Sequence, residues 1–178
     1  MERLSQVMEY VKFKHQGQLR RNGESYYTHL QEVSDIAAHI LKEKFMSATE
    51  KDVEDIKCAS LLHDILEDTR TDYEDVCLLT CPKIANWVSA LSDDKRLPQV
   101  TRLSVYKQTL SISCMQIKLI KLADLYSNTM SLPNNEDNGW KQDFFCESNS
   151  ILDCLESDVA DTLYYKELKH VFGAVCQF

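Results

Sequence analysis

Apolar residues recur three and four positions apart along nearly the whole chain, and only four glycines and three prolines interrupt them. That period marks amphipathic helices. Leu4, Val7, Met8 and Val11 form one stripe and predict a helix over 3–14. Val33, Ile36, Ala37, Ile40 and Leu41 predict a second, from about Tyr26 to Lys44. A third begins near Asp52, with Ile56, Ala59, Leu62, Ile65 and Leu66 pointing one way. Cys58 and Leu61 widen its stripe nearly all round, which marks a central helix. Thr71-x-x-Glu74 reads as a capping box and starts a fourth. Cys81-Pro82 opens a fifth, with proline at a favoured first-turn position. A sixth runs from about Val100 to Ser111 and a seventh from about Met115 to Ser131; two more cover 141–157 and 159–175. Polar connections separate them: His15 to Ser25 with its Asn-Gly turn, 46–51, Ser92 to Pro98, and Pro133 to Gly139. The pattern predicts an all-α fold and a single domain over residues 1–178.

Composition narrows the partners. The chain has 178 residues, enough to bury a full core. Acidic residues outnumber basic ones 28 to 20, a net charge of −8, whereas a general nucleic-acid binder carries a basic surface. No polynucleotide partner is expected; a small anionic ligand requires locally concentrated cations. The seven cysteines are odd in number and form no C-x-x-C pair, which points to free thiols in a reducing cytoplasm. Neither a signal peptide nor a membrane span is expected.

The chemistry concentrates at Leu62-His63-Asp64-Ile65-Leu66-Glu67-Asp68. On an unbroken helix His63 lies under Glu67 and Asp64 under Asp68. Three carboxylates at a helix C-terminus oppose the macrodipole and raise one another's pKa. A bound divalent cation resolves that conflict; a core histidine beside a solvated turn is the plainer alternative, and the helix alone leaves both open. His29, on the rim of the second helix's apolar face, is equally open between ligand and buried histidine. Lys121, Asp124 and Asn128 line one face of the seventh helix, where a structural Lys121–Asp124 pair is the plainer reading. Arg20 and Arg21, on a glycine-bearing loop, suit bidentate phosphate contacts or a solvated surface. The loop of Lys95 is either a surface connection or a lip over a ligand.

Together these pieces fall in the order His29, His63-Asp64, Asp124, which resembles the ligand order of HD-domain metal-dependent phosphohydrolases. The local words are more specific: His-x-Gly-Gln-x-Arg-Arg, Gly-Glu-x-Tyr-x-x-His, Leu-Leu-His-Asp-x-x-Glu-Asp-Thr, Asp-Asp-Lys-x-Leu-Pro and Lys-Leu-Ala-Asp-x-x-x-Asn. They are similar to the hydrolase domain of RelA/SpoT proteins, above all to the stand-alone small alarmone hydrolases of the Mesh1 type. The resemblance covers roughly residues 3 to 140, with the motifs in 15–140 and further helices in 141–178. It implies one Mn²⁺ (Fe or Zn also suit the donors) on His29, His63, Asp64 and Asp124. It implies hydrolysis of the 3′-pyrophosphate of guanosine tetra- or pentaphosphate to GDP or GTP plus pyrophosphate. By the same resemblance Glu67 and Asp68 orient and activate the water, Asn128 lies near the substrate ribose and the metal, Arg20 beside the nucleotide and Lys95 in a loop that closes over the substrate. An anionic substrate also needs Arg21 and Lys121, with Arg20 and Lys95, to concentrate positive potential in the cleft. The chain departs from the family's words at Leu125-Tyr126-Ser127, where a basic residue and then Leu-His or Leu-Tyr are usual, and at Phe144 and Ser148, where arginine and tyrosine are usual. The alternatives are a related nucleotide phosphohydrolase, such as one removing the 2′-phosphate of NADPH, and a nucleotide-binding domain without turnover.

Overall fold

A computed structural model describes residues 2–132 and 138–175. Its helices are α1 (Glu2–Lys14), α2 (Tyr26–Lys44), α3 (Glu50–Leu61), α4 (Ile65–Asp68), α5 (Tyr73–Leu79), α6 (Pro82–Leu91), α7 (Gln99–Ile112), α8 (Met115–Met130), α9 (Asn138–Val159) and α10 (Leu163–Val175). Among the described residues the extended structure is one antiparallel bridge, Leu19 to Ser25, closing the α1–α2 loop. Gly23 takes φ 87° in that loop, a left-handed conformation that glycine adopts without steric cost. The all-α expectation holds, and none of the described helices is long and apolar enough to cross a membrane.

Several helix starts differ from the sequence pattern, α9 at Asn138 against 141 and α10 at Leu163 against 159 among them, and two have a visible cause. α3 starts at Glu50, earlier than Asp52, because Thr49 caps it: Asp52 N–H donates to Thr49 Oγ1 at 3.2 Å, and Thr49 N–H donates to Asp52 Oδ2 at 3.0 Å. The box expected at Thr71 and Glu74 sits one residue later. Asp75 N–H donates to Asp72 Oδ1 at 2.9 Å, and Asp72 N–H returns to Asp75 Oδ2 at 3.3 Å. Thr71 is instead buried and bonded to the hydroxyls of Thr69 and Tyr10. Of the expected loop from Pro133 to Gly139, residues 133–137 lie outside the described residues, and Asn138 and Gly139 already belong to α9.

The core explains how three distant segments meet. α2 packs against both α3 and α8, and α6 covers α3 and α8 from another side. Leu30, Ile40, Ile56, Leu62, Leu119, Ile120 and Leu122 are fully buried there. Each such side chain contributes roughly 1.5–3 kcal/mol through burial. Phe145, Leu152, Leu155 and Phe172 dock α9 and α10 onto α8. A fully buried acid, Asp55, ties α1 and α6 to α3: it accepts from Arg3 and lies 2.5 Å from Lys83 Nζ.

Candidate active site

The His63-Asp64 pair does not lie on a continuous helix. α3 ends at Leu61, and 62–64 form a break before the single turn α4. The cause is local. In an unbroken helix Ser60 O would accept the N–H four residues on. Here it accepts His63 N–H at 3.4 Å and lies 2.7 Å from His63 Nδ1, so the imidazole closes the helix end itself. The two columns of four-residue spacing therefore do not form as one straight face, and the break swings His63 inward.

Three segments converge on that ring. His29, from the first turn of α2, is buried, and its ring centroid lies 5.2 Å from that of His63. His29 Nε2 lies 3.4 Å from Asp124 Oδ1 and 3.8 Å from Asp64 Oδ2. His63 Nε2 lies 2.8 Å from Asp64 Oδ2 and 3.5 Å from Asp124 Oδ1. Yet neither Nε2 makes a well-aligned hydrogen bond, and both are cut off from solvent. His29, His63 and Asp64 can each offer a donor atom within 4.8 Å of the others. Both Nδ1 atoms face oxygens, Ser127 Oγ at 2.9 Å for His29 and Ser60 O for His63. Two orphaned imidazole nitrogens facing two carboxylates form a mixed N/O set that fits Mn, Fe or Zn.

The titration behaviour follows from this crowding. Burial would push the His29 and His63 imidazoles down, but Asp124 and Asp64 outweigh it and hold both above the ordinary value. Burial likewise opposes ionisation of Asp64 and Asp124. For Asp64 the His63 ring outweighs it and for Asp124 the Lys121 ammonium does, so both carboxyls stay low.

A cavity of about 250 Å³ opens over the cluster, lined by Tyr26, His63, Asp64, Glu67, Asp124 and Asn128 among others. Glu67 stands in its wall with a raised pKa; burial is the main cause and Asp64 adds to it, while the Asp93 N–H and Lys95 pull the other way. Asp68 sits outside that lining, at the rim, where Lys95 Nζ approaches it at 3.1 Å. Lys95 also lies 3.3 Å from Glu67 Oε2. Lys121 donates to Asp124 Oδ2 at 2.8 Å and Asn128 donates to Asp124 Oδ1 at 2.7 Å. Arg20 is placed differently from the exposed gripping residue that its loop suggested. It is buried, donates to Glu32 and to Ser127 O, and also binds Ser131. Arg21 lies over the Trp140 ring, 3.7 Å from its centroid. Trp140 stacks on Phe144, and with Arg20, Arg21, Tyr26 and Asn128 these rings line a second cavity of about 290 Å³. Tyr26 and Asn128 belong to both cavities. Ser148 is buried.

Sequence reasoning missed three residues of this site. Tyr26 donates to Asp64 Oδ2 and is held almost wholly protonated by burial and by that carboxylate. It is the tyrosine of the Gly-Glu-x-Tyr-x-x-His word, three residues before His29 on the same helix face, a signal that was given no role. Arg102 and Tyr106 enter the first cavity from α7, just past the Asp-Asp-Lys-x-Leu-Pro word, and no local pattern marks them.

Known proteins resemble this chain over most of its length. The HD domain model matches residues 26–129. A Drosophila melanogaster protein named guanosine-3′,5′-bis(diphosphate) 3′-pyrophosphohydrolase MESH1 is 32% identical over 162 residues, 88% of this chain and 86% of that protein. The Homo sapiens protein of the same name is 28% identical over 177 residues, 95% of this chain and 92% of that one. A solved structure described as a metazoan ortholog of SpoT that hydrolyzes ppGpp superposes with a TM-score of 0.79 at 27% identity, covering 97% of each chain.

Proposed function

The chain belongs to the HD domain family, and from that premise we propose that it is a metal-dependent hydrolase of the 3′-pyrophosphate of guanosine tetra- or pentaphosphate. The observation that carries this is the pair of buried, unpartnered Nε2 atoms of His29 and His63 facing Asp64 and Asp124. The relatives that align over nearly the whole chain bear the name of that activity, which supports the substrate class.

In this reading His29, His63, Asp64 and Asp124 hold one ion, Mn²⁺ in the first instance with Fe or Zn as other candidates. When bound, such an ion supplies an acidified water and a polarised phosphoryl oxygen. Glu67 takes the proton of the attacking water; its raised pKa brings it nearer the operating pH, which suits a general base. The water oxygen bonds to phosphorus, the bond from phosphorus to ribose O3′ breaks, and the leaving O3′ takes a proton from solvent, giving GDP or GTP plus pyrophosphate. Lys121 and Asn128 hold the Asp124 carboxylate in place, and Tyr26 holds Asp64. Lys95 and Asp68 form the rim pair through which the loop closes over substrate. The cavity lined by Arg20, Arg21, Trp140 and Phe144 takes the nucleoside, with the base on the aromatic wall. Lys95, Arg102 and Lys121 are each paired with a carboxylate, so a bound divalent cation would supply the positive charge that draws in an anion.

A release assay decides the substrate. The Mn²⁺-loaded protein is offered guanosine tetraphosphate and NADPH separately. Pyrophosphate from the first supports the proposal; orthophosphate from NADPH alone moves the chain to the other phosphohydrolase reading; inactivity on both counts against an enzyme.

A further inference from the structure

Ser127 is buried between His29 and Glu32. His29 Nδ1 lies 2.9 Å from Ser127 Oγ, and Ser127 donates its hydroxyl to Glu32 Oε2 at 2.6 Å. Arg20 Nη2 donates to the same Oγ at 3.2 Å, while its Nη1 donates to Glu32 Oε2 at 2.9 Å. Burial opposes ionisation of Glu32, but Ser127 and Arg20 outweigh it and hold that carboxyl low, so it stays an acceptor at neutral pH. A hydroxyl carries one hydrogen, a carboxylate only accepts and a guanidinium only donates. The Ser127 hydrogen is therefore spent on Glu32, and its oxygen can only accept from His29.

We infer that Ser127, held by Glu32 and Arg20, is a positioning residue that fixes His29 as the Nδ1–H tautomer and so presents the Nε2 lone pair to a divalent cation. Ser127 stands where the resembling family's words carry histidine or tyrosine, so this arrangement belongs to the present chain. The second half of the inference rests on the metal reading above; the tautomer does not. A ligating histidine of this kind depends on the acceptor behind it, and loss of that acceptor typically costs about 10–100-fold in metal affinity.

The test is nitrogen-resolved NMR of the histidine rings in the metal-free full chain, at a pH where the rings are neutral, joined to calorimetric titration with Mn²⁺ alone. Wild type shows His29 protonated on Nδ1. Ser127→Ala and Glu32→Ala shift the ring toward the Nε2–H form, Glu32→Ala because it frees the Ser127 hydroxyl to donate to Nδ1. Both variants bind Mn²⁺ about 10–100-fold more weakly, and Ser127→Thr restores the wild-type tautomer and affinity. Should Ser127→Ala fail to fold, Glu32→Ala carries the test, because the Glu32 side chain is half exposed. A wild-type ring protonated mainly on Nε2, or a tautomer unchanged in the variants, overturns the inference. A ring that behaves as predicted in a protein that binds no Mn²⁺ keeps the tautomer and removes both its role toward a cation and the metal reading.

Discussion

Glu67 Oε1 accepts the backbone N–H of Asp93 at 2.7 Å, a bond that spans 26 residues of chain. It pins the loop after α6 to the single turn α4, so the proposed base and the loop carrying Lys95 are one mechanical unit. The glutamate proposed to take the proton is also the residue that ties down the lip.

Glu67→Gln keeps an oxygen for the Asp93 N–H but cannot accept the proton. It is expected to lower kcat by about 10²-fold or more, as for loss of a general base, while metal content stays unchanged. Steady-state kinetics with elemental analysis of the same preparation checks this. A rate near wild type removes Glu67 from the role.

Burial and Asp64 raise the Glu67 pKa, and Lys95 lowers it. Activity requires the ionised carboxylate, so kcat/KM is lost as pH falls through a value above the ordinary glutamate range of about 4.3. Removing the ammonium in Lys95→Met moves that acid limb further up. A limb that stays in place in the variant, or lies at the ordinary value, contradicts the assignment.

Metal binding stabilises the native state alone by mass action. At about a hundred times its dissociation constant, Mn²⁺ adds about 2.7 kcal/mol to wild type. Asp64→Ala is expected to lose that gain, since Asp64 is the carboxylate nearest the His63 ring. Thermal melts with and without Mn²⁺ read it directly; an equal metal-dependent shift in the variant argues against Asp64 as a ligand.

The Trp140 ring, which touches Arg21 and Phe144 in the wall of the second cavity, is expected to hold the nucleobase. Trp140→Ala should weaken substrate binding by about 1–3 kcal/mol, the usual contribution of base–aromatic stacking, and the loss should appear in KM with kcat little changed. An unchanged KM places the base elsewhere.

Asp55 predicts an acid limit to stability. Burial would raise its pKa, but Lys83 and Arg3 outweigh it and hold the carboxyl below its ordinary value. A depressed pKa contributes stability that is complete above the unfolded value, about 3.9, and that is lost as pH falls through the folded one. Asp55→Asn should therefore cost about 1.5–3 kcal/mol at neutral pH, the range for hydrogen bonds to charged groups. The gap to wild type should close on acidification. Denaturant melts across that range test it, and a constant gap refutes it.

Helix placement was legible because apolar spacing and caps are local signals. Tyr26 to Lys44 reads from the stripe and matches α2, and Cys81-Pro82 marks the start of α6. The break at 62–64 was not legible, because the apolar spacing runs straight through it and its cause is a histidine side chain competing for Ser60 O. The order His29, His63-Asp64, Asp124 names four residues that the fold brings together, His29 and Asp124 from α2 and α8 and His63-Asp64 from the break between α3 and α4. The surroundings of that cluster were hidden for a different reason. Arg20 reads as a loop cation, yet its guanidinium is taken up by Glu32, Ser127 and Ser131, partners up to 111 residues away. Arg102 and Tyr106 enter the cavity only because α7 folds across it. Such contacts depend on packing between helices, which no local word records.

The most direct test is a crystal structure of the Mn²⁺-soaked protein with an anomalous difference map. One strong peak is expected at bonding distance, about 2.0–2.2 Å by analogy with zinc–nitrogen and zinc–oxygen bonds, from His29 Nε2, His63 Nε2 and the carboxylates of Asp64 and Asp124. A map with no peak there, or with the ion bound away from both imidazoles, contradicts the metal reading.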